Sequence, residues 1–316
     1  MITVLAGGVG AARFLQGLVR IVHGEENLTI VSNVGDDAEF FGLHVSPDID
    51  IVLYHLAGLA DEERGFGIRD DTFHVLDALA RFGYDPWFRL GDRDLATGIT
   101  RTDLLRRGLP LSQASAEIAR ALGVPARLLP ATDDSLRTKI RTDEGLLDFQ
   151  EFFVKRGARD PVREVIFDGA DVARPAPGVR EAIRDARAVL LTPSNPLVSI
   201  GPILAVPGIR QALRETGARI AAVSPIVAGR ALKGPADRML RDQGHECSAL
   251  GVARLYQDFL GVFVIDEADA ALKPAIEALG LEVVVTDTIM ASMDKKAALA
   301  RTVLQAVGLS PRDMPP

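Results

Sequence analysis

An α/β fold, a Rossmann-like parallel doubly wound sheet, is predicted by three features of this chain. Short apolar runs alternate with stretches of helical period. Several of those runs are apolar at every position, as strands covered on both faces are. The first run ends in Gly7, Gly8 and Gly10 and passes at once into a helical pattern of Ala11, Ala12, Phe14, Leu15, Leu18 and Val19. A glycine turn of this kind lets backbone N–H groups approach a phosphate at a helix N-terminus, where the helix dipole favours an anion.

The elements follow in order. Strands are expected at 2–6, 28–32, 188–192, 219–224, 261–265 and 281–286. Helical periodicity places helices at 10–23, 71–82, 179–186, 209–216, 236–243, 249–260, 268–279 and 295–307. The middle of the chain differs. Residues 94–107 and 111–122 read as helices, and 127–130, 136–142, 146–155 and 163–167 as short strands, with a hairpin turn at Asp143, Glu144 and Gly145. Residues 94–177 are therefore expected to form an inserted smaller α+β subdomain on a nucleotide-binding core of 1–93 and 178–309, with 310–316 as a flexible tail.

Composition narrows the function classes. Of 316 residues, 47% are hydrophobic and 25% charged, which suits a soluble globular protein. The net charge of −7 argues against general nucleic-acid binding. No apolar run is long enough to cross a membrane, and the chain opens directly on a strand, so neither a span nor a signal peptide is expected. Cys247 stands alone, which excludes an internal disulfide and fits a cytoplasmic location. None of the five histidines has zinc-site spacing to another His or Cys.

The polar residues at strand ends carry the candidate chemistry. The second strand runs into Asn33, Val34, Gly35, Asp36 and Asp37, whose adjacent carboxylates suit a metal, a ribose or a solvated turn. Asp48 and Asp50, in Ser46-Pro47-Asp48-Ile49-Asp50, precede an apolar helical run at 51–56. They fit helix N-capping, and equally a Mg²⁺ ion that shares its coordination with phosphate oxygens and waters. Arg89, Gly91, Asp92, Arg93 and Asp94 read as a loop with fixed ion pairs or as a phosphate-neutralising segment. Ser194, Asn195 and Ser199 follow the strand at 188–192 and offer neutral hydrogen-bonding groups. Ser224 after the next strand, then Gly229 and Gly234, repeat the scheme.

Taken in sequence, Gly7 to Gly10, Ser46 to Asp50, Leu90 to Thr97, Phe149 to Phe153, Pro193 to Pro196, Ser199 to Pro202 and Val223 to Ile226 closely resemble the 2-phospho-L-lactate transferase family, CofD in archaea and FbiA in actinobacteria. The resemblance runs from Met1 to about Val307. It implies a Mg²⁺-dependent transferase of coenzyme F(420) biosynthesis. Such an enzyme joins the deazaflavin alcohol Fo to a phospholactyl or phosphoenolpyruvyl group, taken from a guanosine diphosphate ester with release of GMP. It also implies a homodimer, and it puts the deazaflavin-contacting positions on Asp50 and Arg89. On this reading Asp50 is catalytic and, with Asp48 or Asp37, holds Mg²⁺. Gly7, Gly8 and Gly10 cradle phosphate, and Ser194, Asn195 and Ser199 line the guanosine side. Asp50→Asn is then expected to abolish GMP release with little change in melting temperature.

Two rivals are distinguishable. A nicotinamide dehydrogenase would want Gly or Ala where Arg13 stands. A non-enzymatic nucleotide-sugar-binding regulator similar to the YvcK proteins would share the glycine loop, but the segments at 90–97 and 149–153 favour the transferase.

Overall fold

The computed structural model describes residues 1–22 and 27–310. The chain begins with β1 (Ile2–Ala6), α1 (Gly8–Ile21) and β2 (Leu28–Ser32). A short hairpin of β3 (Ala38–Phe40) and β4 (Leu43–Val45) leads into α2 (Pro47–Leu56), α3 (His74–Arg81), α4 (Asp92–Arg106) and α5 (Leu111–Ala121). Next come β5 (Arg127–Pro130) and then β6 (Arg137–Thr142), β7 (Gly145–Asp148) and β8 (Glu164–Asp168). The C-terminal half alternates α6 (Val179–Arg184), β9 (Ala188–Leu191), α7 (Ile200–Ala205), α8 (Ile209–Glu215) and β10 (Arg219–Val223). A two-residue-per-strand hairpin, β11 (Ile226–Val227) and β12 (Arg230–Ala231), precedes α9 (Ala236–Asp242) and α10 (Ala249–Tyr256). The fold closes with β13 (Val262–Asp266), α11 (Lys273–Glu277), β14 (Glu282–Thr286) and α12 (Met293–Ala306).

The main sheet has seven strands in the order β14-β13-β10-β9-β1-β2-β5, and every neighbouring pair is parallel. Counted along the chain within this sheet, the order is third, second, first, then fourth to seventh. The strand order therefore reverses between β1 and β9, where open α/β sheets leave a crevice beyond their carboxyl ends. All residues of β1, β2, β9 and β13 are buried, so helices must cover both faces. On one side α1 packs between α2 and α12. A Cβ on Gly17 would fall 2.3 Å from the Lys296 backbone, so that glycine sets how closely α1 and α12 cross.

Three expectations change. Residues 127–130, grouped with the inserted block, form the edge strand of the main sheet, in parallel register with β2 from Thr29↔Arg127 to Ser32↔Pro130. Leu128 and Leu129 are both buried, on opposite faces, which a one-sided surface strand would not achieve. The strand expected at 146–155 ends at Asp148, and Glu151–Lys155 is helical. Phe149, Phe152 and Phe153 have the three- and four-residue spacing of one helical face, and the first two are buried. The helix expected at 10–23 begins earlier, at Gly8, and its expected end at His23 lies outside the described residues, as do 311–316 of the expected tail.

The remaining strands of the block, β7-β6-β8, make a small antiparallel sheet. Thr142 pairs with Gly145 across the expected turn at Asp143 and Glu144. Ile140, Leu147, Phe149 and Phe152 give this sheet its own apolar centre, which reaches Val198 and Met239 of the core. Among the described residues no helix is long and apolar enough to cross a membrane.

Candidate active site

The reversal of strand order brings the end of β1 beside the loop after β9. Gly7 is extended, and Gly8 has φ +77°, a left-handed conformation that favours glycine. A Cβ on Gly7 would lie 2.7 Å from Asp48 Oδ2, 2.9 Å from Ser199 Cβ and 3.2 Å from Asn33 Cβ. Three segments thus converge on one residue that has room for no side chain. Gly10 serves packing instead. Its Cβ would meet the Pro193 carbonyl oxygen at 2.2 Å, so it lets α1 lie against the loop after β9.

Of the polar residues in that loop, Ser199 has its hydroxyl nearest Gly8, 3.8 Å from where a Cβ there would be. Ser194 Oγ donates to the Gly7 carbonyl at 2.7 Å, and Asn195 Oδ1 accepts from the Leu197 N–H at 2.9 Å. Those two side chains build the loop that shapes the crevice.

The acidic segment meets the glycine turn through Asp48. Ser46 ends β4's loop and Pro47 starts α2, so Asp48 and Asp50 both sit in its first turn, where carboxylates are favoured. Two residues apart on a helix means directions about 200° apart, so the pair cannot face one point. Asp48 Oδ2 accepts from Asn33 Nδ2 at 2.9 Å. Asp50 is turned to α4, where both of its oxygens accept from the guanidinium of Arg101, which is wholly buried. Asp37 completes the floor. Its Oδ2 accepts from Ser46 Oγ at 2.7 Å and lies 2.9 Å from His44 Nε2.

The floor is electrostatically overloaded. Burial, repulsion from Asp48 and, after the Asn33 hydrogen bond that opposes them, repulsion from Asp37 push the Asp36 carboxyl well above the usual range. Burial raises Asp48 to about 6, with Asp37 adding to the rise and the Asn33 amide and Gly8 N–H opposing it. Asp36 Oδ1 and Asp37 Oδ1 are buried without a hydrogen-bond partner. Buried carboxylates in this state call for a cation or a proton. Among the described residues no three His, Cys, Asp or Glu side chains surround a point as an all-protein cage would. The donor set fits Mg²⁺ in its usual mode, one or two carboxylates with the remaining positions left to phosphate and water.

Beside this floor opens a cleft of about 460 Å³, walled by Phe40, Trp87, Phe88 and Phe149 and reached by Asp36, Asp37 and Thr138. Phe40 and Phe88 stack with centroids 4.0 Å apart, and Trp87 meets Phe40 edge-on at 5.4 Å. Leu90, Leu95 and Val45 support these rings from below. Arg89, next to Phe88, is exposed and lies 4.3 Å over the Phe73 ring, outside the cleft lining. The charged segment after it is a pair of helix caps. Asp71 accepts from the N–H groups of Arg93 and Asp94 at the start of α4, while Asp92 accepts from His74 and Val75 at the start of α3.

Sequence reasoning placed Asn33 only within the polar segment after the second strand and Arg101 only among the helix arginines that could neutralise a diphosphate, whereas they hold Asp48 and Asp50; it missed His44 and the aromatic wall. The wall left a signal: the chain's single Trp and three Phe residues stand in two adjacent pairs, Phe40-Phe41 and Trp87-Phe88, in a chain only 5% aromatic.

Asp94, below this wall, gives a pH signature. Burial raises it to about 6, the facing Tyr54 hydroxyl opposes the rise, and Asp50 and Asp71 add to it. A carboxyl raised on folding favours the folded state fully below its unfolded pKa, and that contribution is lost as pH climbs through about 6. Asp94→Asn should therefore come close to wild type near pH 4 and exceed it by roughly 3 kcal/mol above pH 6. Urea unfolding at the two pH values measures this, and parallel pH profiles would contradict it.

The chain matches the family model described as 2-phospho-L-lactate transferase CofD over residues 2–304. It is 44% identical over 304 residues to a 2-phospho-L-lactate transferase of Methanothermobacter thermautotrophicus, covering 96% of this chain and 97% of the relative. It is 42% identical over 310 residues to a phosphoenolpyruvate transferase of Streptomyces griseus, with the same shares covered. A crystal structure of a UPF0052 family member from Bacillus halodurans superposes with a TM-score of 0.62 over 96% of this chain and 98% of that one; at 16% identity it shows a common fold. The seven-stranded α/β architecture and the full-length match agree, and the chain belongs to the 2-phospho-L-lactate transferase CofD family of transferases.

Proposed function

We propose that this protein transfers a phospholactyl or phosphoenolpyruvyl group from its guanosine diphosphate ester to the deazaflavin alcohol Fo, releasing GMP, as a step in coenzyme F(420) formation. The observation that carries the reading is the meeting of the Gly7–Gly8 turn with the Asp48 carboxylate beside an aromatic cleft. A diphosphate donor and a flat tricyclic acceptor want those two subsites side by side. Relatives of both names match at nearly equal identity, so the reading covers the shared chemistry of the two donors.

The attacking oxygen is the terminal hydroxyl of the acceptor's ribityl chain. It forms a bond to the phosphorus that carries the lactate or enolpyruvate through its 2-oxygen, the bond from that phosphorus to the oxygen bridging to the GMP phosphate breaks, and GMP leaves with the bridging oxygen. Phosphoryl transfer of this kind depends mainly on alignment and charge neutralisation. Asp48 and Asp37 are the carboxylates that would hold Mg²⁺, which would supply that neutralisation on the diphosphate. Gly7 and Gly8 allow close approach of the phosphates, and Ser199 offers them a hydroxyl. Asp36, on the cleft floor without a protein cation, is the carboxylate placed to accept the proton of the attacking hydroxyl. Asp50 acts through Arg101, fixing α2 against α4 so that Asp48 keeps its direction. The deazaflavin rings stack in the cleft beside Trp87, whose lining does not include Arg89. A second copy of the chain as homodimer partner and a cytoplasmic setting accompany this reading.

Trp87→Ala should weaken Fo binding about tenfold, the loss of one stacking face. Titration of Fo fluorescence against the protein measures it, and an unchanged affinity would move the acceptor out of this cleft.

A further inference from the structure

We infer that Lys233 and Arg13 form a cationic clamp for the second phosphate of the donor, with Lys233 carried to it by the strap between β10 and α9. The inference rests on the nucleoside diphosphate reading above and assigns residues that reading leaves unused. The strap leaves the carboxyl end of β10, turns at Ala228 (φ +49°) and Gly229 (φ +72°), and turns again at Gly234 (φ +74°) before α9. Between the turns it crosses to the start of α1. Lys233 Nζ donates to the Arg64 carbonyl at 2.9 Å. A Cβ on Gly65 would lie 2.8 Å from Val9 Cγ1 and 3.0 Å from Lys233 Nζ, so the ammonium stands beside Val9, the residue after Gly8.

Arg13 is one helical turn beyond Val9 on the same face of α1. Its Nη2 donates to the Glu62 carbonyl at 3.1 Å. The nearby Glu62 carboxylate is already occupied by Lys296 at 3.0 Å and Gln16 at 3.0 Å. Among the described residues neither Arg13 nor Lys233 is paired with a carboxylate. Burial and the charge of Arg13 both push the Lys233 ammonium down. Two neighbouring cations with no acid of their own repel each other until an anion sits between them. A compact ammonium and a forked guanidinium are the usual complement of phosphate oxygens. Val9, beside which the ammonium stands, lies in the first turn of α1, the helix end that favours an anion.

The test is calorimetric titration of the full chain, with Mg²⁺ present, by GDP and separately by GMP. Wild type should bind GDP more tightly than GMP. Lys233→Ala should lose about tenfold in GDP affinity and less than about twofold in GMP affinity, with an unchanged melting temperature. Lys233→Arg should retain most of the GDP affinity, and Arg13→Gln should repeat the selective loss. Equal GDP binding by wild type and Lys233→Ala overturns the clamp and leaves the donor reading intact, as does an equal loss on both nucleotides. Wild type that binds neither nucleotide overturns the donor reading and the clamp together.

Discussion

Asp48→Asn is expected to lower GMP release by about three orders of magnitude while leaving the unliganded protein as stable as wild type or more so. The argument is local. Asn33 Nδ2 and the Gly8 N–H already face this side chain, and an asparagine oxygen can accept from them in the same place. What disappears is the charge. In the absence of a cation that charge is a cost, since burial has raised the Asp48 carboxyl to about 6. The raised value means that the cost is present in full above about pH 6 and fades as pH falls toward 4. The stability gain of the variant should follow that window. The activity loss should appear on the opposite side of the balance, because a neutral amide cannot neutralise Mg²⁺ on the diphosphate. GMP release by Asp48→Asn within tenfold of wild type would remove this carboxylate from the chemistry.

Arg101 supplies the second large effect, this time on the fold. Its side chain is fully buried, and its partner Asp50 is nearly so. Arg101→Leu should cost about 3–5 kcal/mol, because it leaves a carboxylate buried without its cation. Asp50→Asn should also destabilise, by stranding the guanidinium. That revises the expectation that Asp50→Asn would spare the melting temperature, since the sequence offered no view of a partner 51 positions away. Replacing both residues by leucine should recover part of the loss, as apolar packing often matches a buried pair. Urea unfolding of the two single variants and the double variant closes the cycle. An Asp50→Asn protein of wild-type stability but without activity would return Asp50 to the reacting centre.

These two residues also mark where the sequence could and could not be read. The run at 2–6, the glycines after it and the helix that follows were legible because each step obeys a local rule: continuous burial, a turn without side chains, then helical period. The same rules predicted the alternation that gives the parallel sheet. Choosing between Asp48 and Asp50 was not possible from spacing alone, since the sequence does not say which direction of α2 faces the crevice. The guanidinium on Arg101 and the amide on Asn33 come from elements whose approach depends on the whole sheet. The aromatic cleft has the same character, assembled from Phe40, Trp87, Phe88 and Phe149 across three separate segments. Residues 127–130 were misplaced for a related reason. Four apolar-rich residues look alike in a minor sheet and in the edge of a major one, and only pairing with β2 decides.

The most direct measurement is the reaction itself. Purified protein with Mg²⁺, Fo and the guanosine diphosphate ester of phospholactate or phosphoenolpyruvate should release GMP and yield a deazaflavin heavier by the transferred phosphoester group, seen by mass spectrometry. Folded protein that binds both compounds yet forms no such product with either donor would contradict the account.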